Sequence, residues 1–390
     1  MYRWRPTSPE ELDKVESDIL KHVKSPIKKY YVDIGQGWNL DHVHIWTLEI
    51  PAKTENCQKL PIVLVHGFAS AVALWSLNLD KLSCNGERTI YAFDMIGFGK
   101  SSRPKFDYPK STSKSSKEEA LYNCELSESY FVECIEKWRN KIGKPLDGKF
   151  ILLGHSLGGY ITTAYSLKYP KNVAHLILAD PFGFPPDNQS KERSKNGKLT
   201  SAKQYPFIAK LFTKLIFDLV TPLAPLRAMG PWGPKVIYKT RSDIRKKFAQ
   251  LQQHSTSSEG VDNGEQTGAT KPNRTITDYI YHCNAQLPPS GEIAFQKLLH
   301  STGWPRKPML ERIGELGKHI TIDFIYGSVS WIDWETGEKV KRQLSPNGER
   351  VKVHVIEGAG HHVYADKPNE FNQLILDIVS GVETQTFIGK

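Results

Sequence analysis

No run of about eighteen uninterrupted apolar residues occurs anywhere in this 390-residue chain, so no segment reads as a membrane-spanning helix. The opening Met1-Tyr2-Arg3-Trp4-Arg5-Pro6 lacks the apolar core of a signal peptide, so a secreted protein is not expected either. Cysteine is scarce. Cys57, Cys84, Cys124, Cys134 and Cys283 are odd in number, irregularly spaced and free of any Cys-x-x-Cys pair, which excludes a zinc ribbon or a dithiol redox motif and suits reduced thiols inside a cell. No metal-ligand spacing and no nucleotide-binding signature is evident, so neither metal nor cofactor is expected. There is no internal repeat, and no nucleic-acid-binding module accompanies the net charge of +10.

What stands out is Gly154-His155-Ser156-Leu157-Gly158, which follows the apolar run Phe150-Ile151-Leu152-Leu153 and opens the helix-like Tyr160-Ile161-Thr162-Thr163-Ala164-Tyr165. A serine between a strand end and a helix start sits on a sharp, strained turn, and glycines on either side remove side chains that would collide there. Gly-rich loops produce this pentapeptide by chance, so its weight comes from the strand, the helix and the partners that follow in order. Ser156 is the candidate nucleophile. A hydroxyl is too weak an acid to attack an ester at neutral pH, so it needs a base and a carboxylate to orient that base.

The base is read as His361, just past the alternating Val351-Lys352-Val353-His354-Val355-Ile356 and directly after the turn Gly358-Ala359-Gly360; His362 is its local competitor. The acid has two candidate origins. The strand Ile320-Thr321-Ile322-Asp323-Phe324-Ile325-Tyr326 is followed by Ser328-Val329-Ser330, so its first carboxylate is Asp333, with Glu335 behind it. Asp180, after Leu176-Ile177-Leu178-Ala179, is the other; as a turn residue before Pro181 it has a non-catalytic reading, and Asp333 is the expected acid. Leu60-Pro61-Ile62-Val63-Leu64-Val65 ends in His66-Gly67-Phe68-Ala69, where the backbone N–H groups of Phe68 and Leu157 are placed to meet a developing oxyanion, each worth about 3–4 kcal/mol. The His66 side chain is read as fixing that loop.

Strands are read at 28–34 and 43–50 as an antiparallel pair, then at 62–65, 89–94, 150–153, 176–180, 320–326 and 351–356 as parallel strands, with helical stretches such as 130–141 between them. This is an α/β-hydrolase pattern: a mostly parallel eight-stranded sheet, helices on both faces and a helical lid after the sixth strand. It divides into an N-terminal helical segment (1–27), a core (28–180 and 319–390) and a lid (181–318), with polar, flexible insertions at 111–117 and 255–272. Lid lysines (Lys191, Lys195, Lys198, Lys203, Lys210, Lys214) interleave with apolar residues such as Phe207, Ile208, Leu211 and Phe212. That mixture suits a surface helix on anionic lipid, or equally a packed lid helix whose lysines face solvent.

Longer matches make the likeness specific. Trp4-Arg5-Pro6-Thr7-Ser8, Leu152-Leu153-Gly154-His155-Ser156-Leu157-Gly158-Gly159, Gly230-Pro231-Trp232-Gly233-Pro234, Tyr279-Ile280-Tyr281-His282-Cys283-Asn284-Ala285-Gln286 and His361-His362-Val363-Tyr364-Ala365-Asp366 span the chain nearly end to end. On these residues it resembles the branch of α/β-hydrolases containing α/β-hydrolase domain-containing proteins 4 and 5. The resemblance implies action on lipids: hydrolysis of N-acyl phospholipids and lysophospholipids, acyl transfer to lysophosphatidic acid, or activation of a triacylglycerol lipase at lipid droplets. Some members carry Asn at the nucleophile position; Ser156 makes this chain similar to the hydrolytic ones. His361 and Asp366 match the family's acyltransferase-associated H-x4-D pattern, although Asp366 also suits the capping of a helix at 370–379. The family's droplet-anchoring N-terminus is Trp-rich, whereas only Trp4 stands here.

Three functions follow as expectations. The first is a serine hydrolase of phospholipid or lysophospholipid acyl groups, the second a transferase sharing its acyl-enzyme, and the third a binding module that recruits a lipase. The expected partners are a lipid substrate and an anionic membrane or droplet surface, with a triacylglycerol lipase under the third reading, and no nucleic acid. The expected location is cytoplasmic and peripheral to membranes or droplets, with the mitochondrion as an alternative.

Overall fold

The computed structural model describes residues 7–37, 42–54, 57, 59–109, 115–187, 220–248, 274–345 and 349–388. Its centre is an eight-stranded sheet in the order β1-β2-β4-β3-β5-β6-β7-β8. The strands are β1 (Lys28–Gln36), β2 (His42–Ile50), β3 (Ile62–Val65), β4 (Ile90–Phe93), β5 (Phe150–His155), β6 (Val173–Ala179), β7 (Thr321–Gly327) and β8 (Val351–Ile356). β1 and β2 pair antiparallel with each other, and β2 pairs antiparallel with β4; the remaining ladders are parallel.

The central strands are buried at nearly every position because both faces are covered, and a period of two divides their apolar side chains between two cores. Val63, Val65, Phe150, Leu152, Leu176, Leu178, Ile322 and Phe324 face one core; Ile62, Leu64, Ile151, Leu153, Ile177, Ala179 and Ile325 face the other. The first core takes Tyr130, Phe131 and Trp138 of α2 (Ser116–Ile142) and Tyr160, Ile161 and Tyr165 of α3 (Leu157–Lys168). The second takes Leu12 and Ile19 of α1 (Pro9–Leu20) and, from the sequence between β6 and β7, Ile237 of α4 (Gly233–Thr240), Ile244 of α5 (Ser242–Lys247) and Tyr279 of α6 (Thr275–Ala285). Helix α7 (Ser290–Leu298) returns to the first core through Ala294 and Leu298.

Local signals explain where helices begin. Ser8 accepts from the Glu11 N–H at 3.2 Å with Pro9 at the first position of α1. Ser115 and Glu118 form a reciprocal capping box, so α2 starts at Ser116, inside the 111–117 segment expected to be a flexible insertion. Two further helices, α8 (Glu335–Leu344) and α9 (Pro368–Ile388), follow β7 and β8. The helix expected at 370–379 therefore starts earlier and runs longer. The basic segment from Lys191 to Lys214 and the insertion at 255–272 lie outside the described residues. Among the described residues no helix is long and apolar enough to cross a membrane, and all five cysteines are unpaired.

Candidate active site

β5 ends in His155 and α3 begins at Leu157, leaving Ser156 alone on the bend with φ 53° and ψ −117°. Positive φ costs a non-glycine residue about 1–3 kcal/mol, and it persists where packing over-determines it. Here a Cβ on Gly158 would lie 2.3 Å from the Val65 carbonyl oxygen and one on Gly154 2.5 Å from that of Gly158, so only glycine lets strand, bend and helix approach this closely. The Ser156 N–H donates to Ala179 O at 3.1 Å, tying the bend to β6.

The partners come from β6 and β8. Ser156 Oγ donates to His361 Nε2 at 3.0 Å, and His361 Nδ1 donates to Asp180 Oδ2 at 2.6 Å. Asp180 is fully buried and, like Ser156, holds a positive φ, 46°. Burial pushes its carboxyl above the ordinary range; donors from His361, Ser330 (2.5 Å to Oδ2) and Gly327 N (3.4 Å to Oδ1) pull it back toward the charged form. The register His155↔Ala179 explains the placement, because it sets Ser156 and Asp180 side by side just past the ends of adjacent parallel strands.

This corrects the expected acid. Asp333 lies on the loop after β7, where its Oδ1 accepts from Glu335 N at 3.1 Å at the entrance to α8. The geometry joins Ser156 and His361 to Asp180 instead. The missed signal was the absence of any carboxylate in Ser328-Val329-Ser330: the hydroxyl there is a donor to an acid supplied by the neighbouring strand.

The remaining candidates fall around this core. His66 donates from Nδ1 to Gly67 O at 2.8 Å and accepts the Met95 N–H on Nε2 at 3.0 Å, and burial lowers its pKa to about 4, so a neutral ring braces the loop that carries Phe68. A Cβ on Gly67, the residue before Phe68, would meet His155 Nδ1 at 2.9 Å and Ser156 Cβ at 3.1 Å, so only glycine lets this loop lie so close to the nucleophile. Leu157 opens α3, where first-turn N–H groups have no intrahelical acceptor. His155 donates from Nε2 to the His361 carbonyl at 2.9 Å, and His362 packs on the His155 ring at 5.4 Å rather than on Ser156. Burial, first of all, holds both His155 and His362 well below the usual histidine range.

Asp366 has a different task from helix capping. Its Oδ2 accepts the Gly360 N–H at 2.9 Å and its Oδ1 pairs with Lys247 Nζ of α5 at 3.0 Å, fastening the turn that carries His361. Sequence reasoning also passed over an aromatic group beside the nucleophile. Phe68 stacks on Phe295 at 4.3 Å, Phe182 meets Phe295 at 5.8 Å, and the Phe182 N–H donates to Ser156 O at 3.1 Å.

Elbow, histidine and buried acid at the carboxyl ends of a mostly parallel sheet define a hydrolase of the α/β class. The chain belongs to the α/β-hydrolase fold family, whose model matches residues 61–368. It is 40% identical over 379 residues to the human "(Lyso)-N-acylphosphatidylethanolamine lipase", covering 97% of this chain and 94% of that protein. It is also 40% identical over 381 residues to the pig (Sus scrofa) "1-acylglycerol-3-phosphate O-acyltransferase ABHD5", covering 97% and 92%. Among solved structures, a putative lipase from Acinetobacter baumannii AYE aligns over 96% of this chain and 97% of its own with a TM-score of 0.56 and 16% identity, a likeness of fold alone.

Proposed function

We propose that this protein is a serine hydrolase that removes fatty acyl chains from phospholipids or lysophospholipids, N-acyl phospholipids included. The carrying observation is the continuous relay from Ser156 Oγ through His361 to the buried Asp180, at 3.0 and 2.6 Å. His361 Nε2 takes the hydroxyl proton as Ser156 Oγ attacks the ester carbonyl. Asp180 holds the ring with Nδ1 protonated and stabilises the imidazolium that forms. Backbone N–H groups of Phe68 and Leu157 receive the oxyanion. The imidazolium then protonates the leaving alcohol, and a water activated by the same histidine releases the fatty acid from Ser156. Phe68, Phe182 and Phe295 offer an apolar wall for the acyl chain, the last two supplied by the segment 181–318 that is read as the lid. Similarity to an N-acylphosphatidylethanolamine lipase supports the substrate class.

The equal likeness to a 1-acylglycerol-3-phosphate O-acyltransferase supports a second reading, in which a lysophosphatidic acid hydroxyl replaces water as acceptor of the same acyl-enzyme. A peripheral position at a membrane or droplet surface, or recruitment of a triacylglycerol lipase there, belongs to the same proposal. The test is fluorophosphonate labelling of the full chain and of Ser156→Ala, followed by fatty-acid release from N-acylphosphatidylethanolamine with and without lysophosphatidic acid. The expected result is labelling and release that Ser156→Ala abolishes. Labelling that survives the substitution overturns the mechanism, and acyl transfer that outruns release selects the second reading.

A further inference from the structure

We propose that the loop after β7, residues 328–334, is a lipid-contact surface that inserts Val329, Trp331 and Trp334 into the interface of a zwitterionic phospholipid bilayer at the rim of the Ser156 site. This deepens the phospholipid reading above by naming the face through which substrate is drawn.

Three large apolar side chains in six residues stand in water: Val329 and Trp331 are each 68% exposed and Trp334 43%. Single exposed apolar residues are ordinary, but a group of them on one rigid loop marks an interaction surface. This loop is rigid. Ser328 N donates to Ile356 O at 3.0 Å and Val329 N to Ala359 O at 3.0 Å, while Gly358 N donates to Ser328 Oγ at 2.8 Å and Ile332 N to Ser330 Oγ at 3.1 Å. These bonds occupy backbone groups that would otherwise resist leaving water.

Its chemistry favours a lipid interface. Tryptophan joins a large apolar ring to one N–H donor and settles at headgroup depth, where one end is wet and the other apolar. The charged residues nearest in sequence are Asp333 and Glu335, so the loop itself offers anionic headgroups no cation and its attraction is apolar. Its position ties contact to catalysis. The Trp331 ring lies 5.0 Å from that of His361, and the adjacent Ser330 hydroxyl donates to the Asp180 oxygen that His361 also uses. A bilayer touching Trp331 therefore brings its esters to the relay.

The experiment is flotation of the full chain with vesicles of phosphatidylcholine alone, at low and at high salt. The wild type should float at both. A variant carrying Val329→Ser, Trp331→Ala and Trp334→Ala should partition about tenfold more weakly at either salt, because the lost attraction is apolar burial rather than charge. Should that variant lose its melting transition, Val329→Ser with Trp334→Ala leaves Trp331 in place and should still weaken partitioning about threefold. Wild-type flotation by the folded variants overturns the proposal. So does a wild type that fails to float with phosphatidylcholine, or floats at low salt only, which would assign any lipid contact to basic residues elsewhere. Binding is read without turnover, so a chain that floats but hydrolyses nothing overturns the proposed function and leaves this inference standing.

Discussion

Asp180 Oδ2 and His361 Nδ1 lie 2.6 Å apart although 181 residues separate them in the chain. The acid leaves β6, the strand next to the nucleophile's, and reaches beneath the loop that follows β8. β7 lies between them in the sheet, and the loop after it gives Asp180 no carboxylate rival but a hydroxyl donor, from Ser330.

The first prediction follows from that pairing. Asp180→Asn should lower turnover of a short-chain ester by about 10⁴-fold, because an amide can present its N–H to Nδ1 and favour the wrong tautomer. Asp333→Asn should stay within a few-fold of wild type, since its carboxylate accepts from Glu335 N at the start of α8. Steady-state kinetics of both variants on one ester decides; a dead Asp333→Asn beside an active Asp180→Asn would restore the original assignment.

A second concerns the turn that carries His361. Asp366→Ala removes the acceptor for Gly360 N and the partner of Lys247 together, and should slow fluorophosphonate labelling of Ser156 about tenfold by misplacing the base. Asp366→Asn keeps an oxygen for Gly360 and should lose less. Lys247→Met isolates the contribution of α5: a labelling rate equal to wild type would show that this helix does not help to hold the turn.

Stability should depend on pH through Asp323. Burial alone would raise its pKa, but the His175 ring, 3.1 Å from Oδ2, and His354, hydrogen-bonded to Oδ1 at 2.5 Å, outweigh it and bring the value to about 2. An unfolded aspartate titrates near 3.9, so the stabilisation is fully present above that pH and is lost as pH falls toward 2. Two units correspond to roughly 2–3 kcal/mol. Asp323→Asn should therefore reduce the unfolding free energy by about 2 kcal/mol at pH 7 and by clearly less at pH 3, as read by urea denaturation. A difference independent of pH would remove the ionic explanation.

The N-terminal helix is tested through Glu16. It is fully buried, accepts from Trp46 Nε1 at 3.0 Å and Tyr279 OH at 3.3 Å, and pairs with Lys100 at 3.3 Å, whose side chain is itself only 8% exposed. Glu16→Ala leaves that cation largely buried with its remaining salt bridge to the exposed Asp13, and should cost about 3 kcal/mol in unfolding free energy. A loss below about 1 kcal/mol in chemical denaturation would mean that α1 is held by its apolar face alone.

The sequence by itself determined what short-range rules encode. The apolar runs at 62–65 and 150–153 require a sheet buried on both faces, and Gly154, Ser156 and Gly158 require a strained bend, because each depends on neighbours a few residues away. His361 was legible for a similar reason, standing on a glycine-rich turn just past a strand. Tertiary structure decided the rest. Whether Asp180 or Asp333 meets His361 depends on the β5–β6 register and on how the β8 loop folds back over β6, relations among residues more than a hundred positions apart. Whether Asp366 caps a helix or fastens the His361 turn depends on Lys247 arriving from α5. That Trp331 faces solvent rather than the core follows from the hydrogen bonds bracing its loop against Ile356 and Ala359, a constraint no periodicity in the loop itself records.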